Sequence, residues 1–252
     1  MNTEELAARL SKAVAERTAI EPLTDDHPDL DLEAGYAVQR ILREQAGELA
    51  GWKLGVTSRA KQAQVGVSAP VCGFLPAAGA LDLGEPLSAG ELIQPRAEPE
   101  IVFVLGRDLH GAHVTAVDVL SATSGLAVGI EVLDSRFRDY RFTMADVVAD
   151  NTSASRYVVG APVPPAGIDV RLVGVVLEKN GEVVATASGA ASLGHPAAAV
   201  AWLVRRLAAS GEGLHAGDVV LSGGLTAATP VVPGDVVTVS IDRLGTVEMP
   251  VS

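Results

Sequence analysis

LVGVVLEKNGEVVATA, residues 172–187, sets two valine-rich runs on either side of Asn180-Gly181. A two-residue loop of type I′ needs positive φ at both central positions, which Asn and Gly tolerate best. The stretch therefore predicts an antiparallel hairpin with its tip at those two residues. Working outward, the chain after Gly51 keeps to short apolar runs separated by glycine and proline. Ile101–Leu105, Val128–Leu133, Leu172–Leu177, Val219–Leu221 and Val236–Ile241 all read as strands. Helices interrupt this pattern at Ser58–Val65, Thr115–Leu126 and Pro196–Ala209, the last framed by Pro196 in its first turn and Gly211 past its end. His195 falls at the N-cap position of that helix and reads as structural. The alternation is too irregular for a doubly wound parallel sheet, and no GxGxxG or GxxxxGK[ST] loop is present.

Before Gly51 the period changes. Residues 2–17 read as an amphipathic helix, with Asn2 and Glu5 spaced as a capping box and Leu6, Leu10 and Val14 repeating on one face. Pro22–Leu30, rich in proline and aspartate, breaks it. A second helix starts near Asp31, carries Tyr36, Ile41 and Leu42 among its apolar positions, and stops before Gly51. The expected architecture is α+β and mostly β: an N-terminal helical subdomain over 1–50 and a β-rich domain over 51–252 that carries the candidate site.

Composition limits the partners. Apolar residues make up 48% of the 252 positions, enough for a sizeable core. The charge of −12, from 31 acids and 19 bases, repels polyanions, and an aromatic share of 4% leaves few platforms for stacking bases, so nucleic acid is excluded as the expected ligand. No stretch of about 18 apolar residues appears, so no membrane-spanning helix is expected. Residues 1–15 carry four charges and no continuous apolar run, unlike a signal peptide. Cys72 is the only cysteine, which rules out an internal disulfide, fits a cytoplasmic location and reads as a packing residue.

The informative polar residues are carboxylates. In RAEPEIVFVL, residues 96–105, Glu98 and Glu100 lie two apart, so a strand sends both to one face. Side by side they repel unless a cation lies between them. Glu131 interrupts the apolar run VGIEVL, where a buried charge requires a partner or a metal. Three carboxylates form a hard, all-oxygen set suited to Mg²⁺ or Mn²⁺ rather than zinc. Spacing alone leaves a second reading open, in which Glu98 and Glu100 are solvated edge residues and Glu131 pairs with a base.

A resemblance weighs on that choice. GWKLGVTSRAKQAQVGV, IQPRAEPEIVFVLGRDL, GIEVLDSRF, VVADNTSASRYVVG, GHPAAAVAWLVRRLAASGEGLHAGDVVLSGG and PGDVV follow one another in order. From about Pro22 to Val251, this succession resembles the hydratase and decarboxylase branch of the fumarylacetoacetate hydrolase superfamily. The resemblance implies a β-rich fold with an N-terminal helical part, a small 2-oxo acid substrate, and Mg²⁺ or Mn²⁺ held by Glu98, Glu100 and Glu131. It gives Lys53, in GWKLG, electrostatic support or proton transfer beside an enolate.

Two activities of meta-cleavage aromatic catabolism share the branch: decarboxylation of 4-oxalocrotonate and hydration of 2-hydroxypenta-2,4-dienoate. SRAKQAQVGVSAPVCGFL, SASRYVVG, LGHP and SGGLTAATPVVPGD look more like the decarboxylases; the hydratases tend to carry serine where Gly224 stands and an apolar or small residue at Arg156. On this reading Arg156 holds the substrate's distal carboxylate through its guanidinium fork, and Ser135, Arg136, Asp150 and Asn151 shape the substrate pocket. Ala77 stands where relatives commonly have an aspartate, which weakens the hydratase expectation further. A catalytically inactive homologue would lack one of the three glutamates, and all are present. A homo-oligomer, and a complex with the companion hydratase or decarboxylase of the pathway, are the expected assemblies.

Overall fold

In the computed structural model, which describes residues 2–58, 62 and 69–252, helix α1 (Thr3–Glu16) opens on Asn2, whose side chain accepts from the Glu4 N–H. That single bond replaces the reciprocal box expected with Glu5. Leu6 and Leu10 are buried as their spacing predicts, but Val14 is 53% exposed, because it sits on the rim of a cavity and not under a neighbouring helix. The Pro22–Leu30 segment contains one short helix, α2 (Leu23–Asp26). Asp31 then caps α3 (Leu32–Gln45) by accepting from the Ala34 N–H.

The strands follow: β1 (Leu49–Gly55), β2 (Val71–Pro76), β3 (Ala80–Leu81) and β4 (Arg96–Leu105). Thr115 and Asp118 form a capping box at the start of α4 (Ala116–Ala122). The helix expected over Thr115–Leu126 stops there. Thr123 is already extended, and 123–133 become β5 (Thr123–Leu133), whose backbone pairs with β4. After α5 (Met144–Ala149) come β6 (Ala154–Val159), β7 (Gly174–Lys179) and β8 (Glu182–Ser188). Between β7 and β8, Asn180 and Gly181 adopt φ of 57° and 79°, the double left-handed turn expected of them. Pro196 begins α6 (Pro196–Ala208), and the His195 Nδ1 caps it by accepting from the Ala197 N–H. The chain closes with β9 (Val219–Leu221), β10 (Thr229–Pro230), β11 (Val236–Ile241) and β12 (Gly245–Pro250). The helix expected over Ser58–Val65 lies, apart from Ser58 and Gln62, outside the described residues.

Two sheets result. The larger has the order β2-β1-β9-β4-β5-β6-β3 with β10 on β4, and the smaller the order β12-β11-β7-β8. The larger sheet is mixed: β1 runs parallel to β9 and β3 parallel to β6, while its other pairs are antiparallel. One of its faces, with Ile101, Phe103, Val128 and Ile130, belongs to the main core together with Val200 and Leu203 of α6 and Leu177 and Val239 of the smaller sheet. Each such side chain contributes about 1.5–3 kcal/mol by leaving water. The N-terminal helices add Leu6, Leu10 and Val38 to a second core that includes Phe137, Ala145 and Ala149. The opposite face of the larger sheet carries only a small apolar cluster, Leu75, Val102, Ala127, Tyr157 and Leu221. By strand alternation Glu98 and Glu100 emerge on the same face as Val102. No helix among the described residues is long and apolar enough to cross a membrane.

Candidate metal centre

Register brings the three glutamates together. Glu98 on β4 pairs directly with Glu131 on β5, and Glu100 stands two residues along from Glu98. One carboxylate oxygen from each lies within 4.8 Å of the others. The residues are 6%, 0% and 1% exposed, in order of number, so the solvated-edge reading of Glu98 and Glu100 is overturned. The other half of that reading holds, since Glu131 does meet a base: Lys53 Nζ lies 3.0 Å from Glu131 Oε1.

Three carboxylates this close and this buried repel one another unless a cation lies among them. Burial pushes Glu100 well above the usual carboxylate range, and repulsion from Glu131 adds to it. Burial also raises Glu131, against the opposing field of Lys53. Glu100 Oε2 accepts from the Gly223 N–H at 2.6 Å, whereas Glu100 Oε1 and Glu131 Oε2 are buried with no hydrogen bond to any of the described residues. Buried carboxylate oxygens left so are costly, and a hard cation satisfies them. The donor set therefore fits a divalent metal ion of the Mg²⁺ or Mn²⁺ kind.

Lys53 reaches the glutamates from β1, with its Nζ donating to the Thr152 carbonyl at 3.1 Å. That carbonyl sits in a turn in which Asn151, Thr152 and Ser153 all have positive φ, between 50° and 59°. Three consecutive side-chain-bearing residues in the left-handed region are strained and need a frame. Asn151 supplies part of it, accepting from the Phe74 N–H at 2.9 Å and donating to the Phe74 carbonyl at 3.0 Å. Gly73 supplies another part: a Cβ there would stand 2.5 Å from Thr152 Oγ1 and 2.7 Å from the Asn151 carbonyl.

The residues expected to line a substrate pocket have other work. Arg136 Nε pairs with Asp150 Oδ1, Nη2 donates to the Asp150 carbonyl and Nη1 to the Asp134 carbonyl, all buried. Ser135 Oγ also donates to Asp150, and accepts from the Phe137 N–H. Burial pushes the Asp150 carboxyl up to about 6 in spite of Arg136. Ser135, Arg136, Asp150 and Asn151 thus build the frame behind the lysine, and Arg136 and Asn151 also line the cavity that Arg156 reaches. Arg156 is displaced more plainly. Glu131 pairs with Tyr157, so Arg156, paired with Val132, emerges on the opposite face of the sheet. There it is half-buried, donates to the Ser155 carbonyl, and lines a cavity of about 350 Å³ with Leu10, Leu42, Phe74 and Leu92. Ala77 begins a short 3₁₀ turn directly after β2. Sequence reading missed the Thr152 carbonyl and the Gly223 amide, which carry no side-chain signal.

Known proteins resemble this chain over nearly its whole length. The family model described as fumarylacetoacetate (FAA) hydrolase C-terminal matches residues 35–252. A 4-oxalocrotonate decarboxylase of Pseudomonas sp. (strain CF600) is 41% identical, over 95% of this chain and 92% of its own. A 2-keto-4-pentenoate hydratase of Burkholderia vietnamiensis (strain G4 / LMG 22486) is 43% identical, over 96% and 94%. Among solved structures, 4-oxalocrotonate decarboxylase from Pseudomonas putida G7, complexed with magnesium and adipate, superimposes with a TM-score of 0.95 at 39% identity, covering 99% of this chain and 97% of that one. A buried three-glutamate set on paired strands, a matching family model over most of the chain and relatives near 40% identity agree with one another, and the chain belongs to the fumarylacetoacetate hydrolase family.

Proposed function

We propose that this protein is a divalent-metal-dependent decarboxylase of 4-oxalocrotonate-type 2-oxo dicarboxylic acids in the meta-cleavage breakdown of aromatic compounds. The observation that carries it is the buried, converging set Glu98, Glu100, Glu131 and Lys53, on a backbone so close to that of a decarboxylase complexed with magnesium and adipate. Adipate is itself a six-carbon dicarboxylate, the size of the proposed substrate.

Glu98, Glu100 and Glu131 are the proposed holders of Mg²⁺ or Mn²⁺, which when bound supplies a Lewis acid toward the 2-oxo acid end of the substrate. In the reaction, the bond to the distal carboxylate breaks and leaves CO₂. Its electron pair moves through the neighbouring double bond to the 2-oxo oxygen, which takes up a proton. Lys53, fixed by Glu131 and the Thr152 carbonyl, places a positive charge where that negative charge grows and is the proposed proton donor. The buried walls around the glutamates exclude water and strengthen each of these interactions.

The second reading is a 2-keto-4-pentenoate hydratase, favoured by the 43% identity to one. The two readings are chemically adjacent, because decarboxylation yields the dienol that such a hydratase takes. That adjacency supports the proposed complex with a companion hydratase; a cytoplasmic location and a homo-oligomer complete the proposal. A side-by-side assay decides: CO₂ release from 4-oxalocrotonate with Mg²⁺ is expected, lost with EDTA and restored by Mg²⁺ or Mn²⁺. Hydration of 2-hydroxypentadienoate with no CO₂ from the dicarboxylate would overturn the decarboxylase reading in favour of the hydratase. Size-exclusion chromatography with light scattering tests the oligomer.

A further inference from the structure

The cavity lined by Arg156 lies on the face of the larger sheet turned away from the glutamates, and the proposed chemistry makes no use of it. Its wall is assembled from distant parts of the chain: Leu10 and Val14 of α1, Leu42 of α3, Phe74 of β2, Leu92 ahead of β4, and Arg156 of β6. Its volume of about 350 Å³ falls within the range of small-molecule sites, roughly 300–1,000 Å³, which are likewise apolar with a few polar groups. Those polar groups differ in what they can still bind. Arg136 is taken by Asp150, and Asp134 by the Ile93 and Gln94 N–H groups. Glu91 is exposed to solvent. Arg156 is half-buried, has no acidic partner among the described residues, and donates to the carbonyl of its own chain neighbour Ser155 at 3.3 Å. A guanidinium offers five N–H donors in a fork that fits a carboxylate, and one bond to a neighbouring carbonyl leaves that fork open.

We propose that this cavity is a second binding site, separate from the metal centre, for a small carboxylate with an apolar body. The carboxylate pairs with Arg156, and the body packs among Leu10, Leu42, Phe74 and Leu92. The lining selects for both parts at once. A small hydrophilic anion would leave the apolar wall uncovered, and an uncharged hydrocarbon would leave the partly desolvated guanidinium without an acceptor. The inference stands apart from the decarboxylase reading, since it uses none of the glutamates.

The test uses benzoate as the probe and benzyl alcohol as its uncharged counterpart, each titrated into the full chain by isothermal calorimetry, with Mg²⁺ and again with EDTA. Benzoate should bind equally well in both conditions. Benzyl alcohol should bind roughly 10-fold more weakly or worse, the factor that a hydrogen bond to a charged group contributes. Arg156→Gln should weaken benzoate by roughly 10-fold or more, by the same reasoning, and leave benzyl alcohol unchanged, which shows the cavity intact. Val14 is 53% exposed on the rim, so Val14→Trp can fill the cavity without entering the core and should weaken both compounds. Benzoate binding that vanishes with EDTA belongs to the metal centre and overturns the proposal. Equal affinity for the two compounds overturns it as well, as does wild-type benzoate affinity in Arg156→Gln. Absence of benzoate binding also overturns it. If Val14→Trp then shifts the oligomeric state on size-exclusion chromatography, the cavity is part of an interface between copies of the chain instead.

Discussion

Lys53 is the residue on which the centre's electrostatics turn. It is the one base among the described residues in contact with Glu131, and its 2% exposure means that no water replaces it. Removing one partner of such a pair costs about 3–5 kcal/mol, because the other stays buried and unpaired. Lys53→Met should lose that much stability when metal-free, measured by urea unfolding, and should lower kcat by roughly 100-fold or more. Asp150 gives a pH signature. Its carboxyl is held up to about 6 by burial, above the ordinary carboxylate value. The folded state thus binds its proton more tightly than the unfolded state does. The stability this group contributes is complete below its ordinary value and disappears as pH rises through about 6. Asp150→Asn, neutral throughout, should flatten that part of the curve of melting temperature against pH; an unchanged curve would remove Asp150 as its source. Arg156, on the other face of the sheet, should be nearly silent in chemistry. Arg156→Ala is expected to change kcat/KM for 4-oxalocrotonate by less than about 3-fold, within about 0.7 kcal/mol. A loss of 30-fold confined to the dicarboxylate would restore its expected role.

At the scale of elements, what could be read from the sequence was what is local. The Asn180-Gly181 turn, the Pro196 helix and the Glu98–Glu100 face each depend on a few adjacent residues, and each formed. What could not be read depends on register. The side of the sheet taken by Arg156 follows from its pairing with Val132, and the pairing shifts between Val132 and Leu133. The fate of Ser135, Arg136, Asp150 and Asn151 was equally hidden, since polar residues in turns look alike whether they face a ligand or one another. β1 escaped notice because Gly51, Trp52 and Lys53 gain their partners from β2 and from β9, far along the chain. Leu126 looked helical until a strand claimed it. A contact between elements also yields a prediction. Gly73 of β2 packs so close to the Asn151–Ser153 turn that a methyl group cannot enter without moving it. Gly73→Ala should cost roughly 1–3 kcal/mol in overpacking. It should also weaken the hold of the Thr152 carbonyl on Lys53, so that kcat falls by more than KM changes.

For the molecule as a whole, the metal and the fold are linked. A ligand bound only by the folded state adds about 2.7 kcal/mol when present at 100 times its Kd. Mg²⁺ at that excess should raise the melting temperature by several degrees, and EDTA should reverse the shift. The N-terminal helices share one core with Phe137, Ala145 and Ala149, so a chain beginning at residue 51 should expose that core and aggregate, as light scattering would show. The parallel pairing of β1 with β9 reaches furthest in its consequence. Lys53 enters the sheet early in synthesis, but Val219–Leu221, and the Gly223 amide just beyond, emerge only when most of the chain has left the ribosome. Pairings between distant segments are slow to form. The centre is therefore among the last parts of the molecule to assemble during biosynthesis, and a nascent chain halted before β9 has glutamates but no finished cradle to offer an ion.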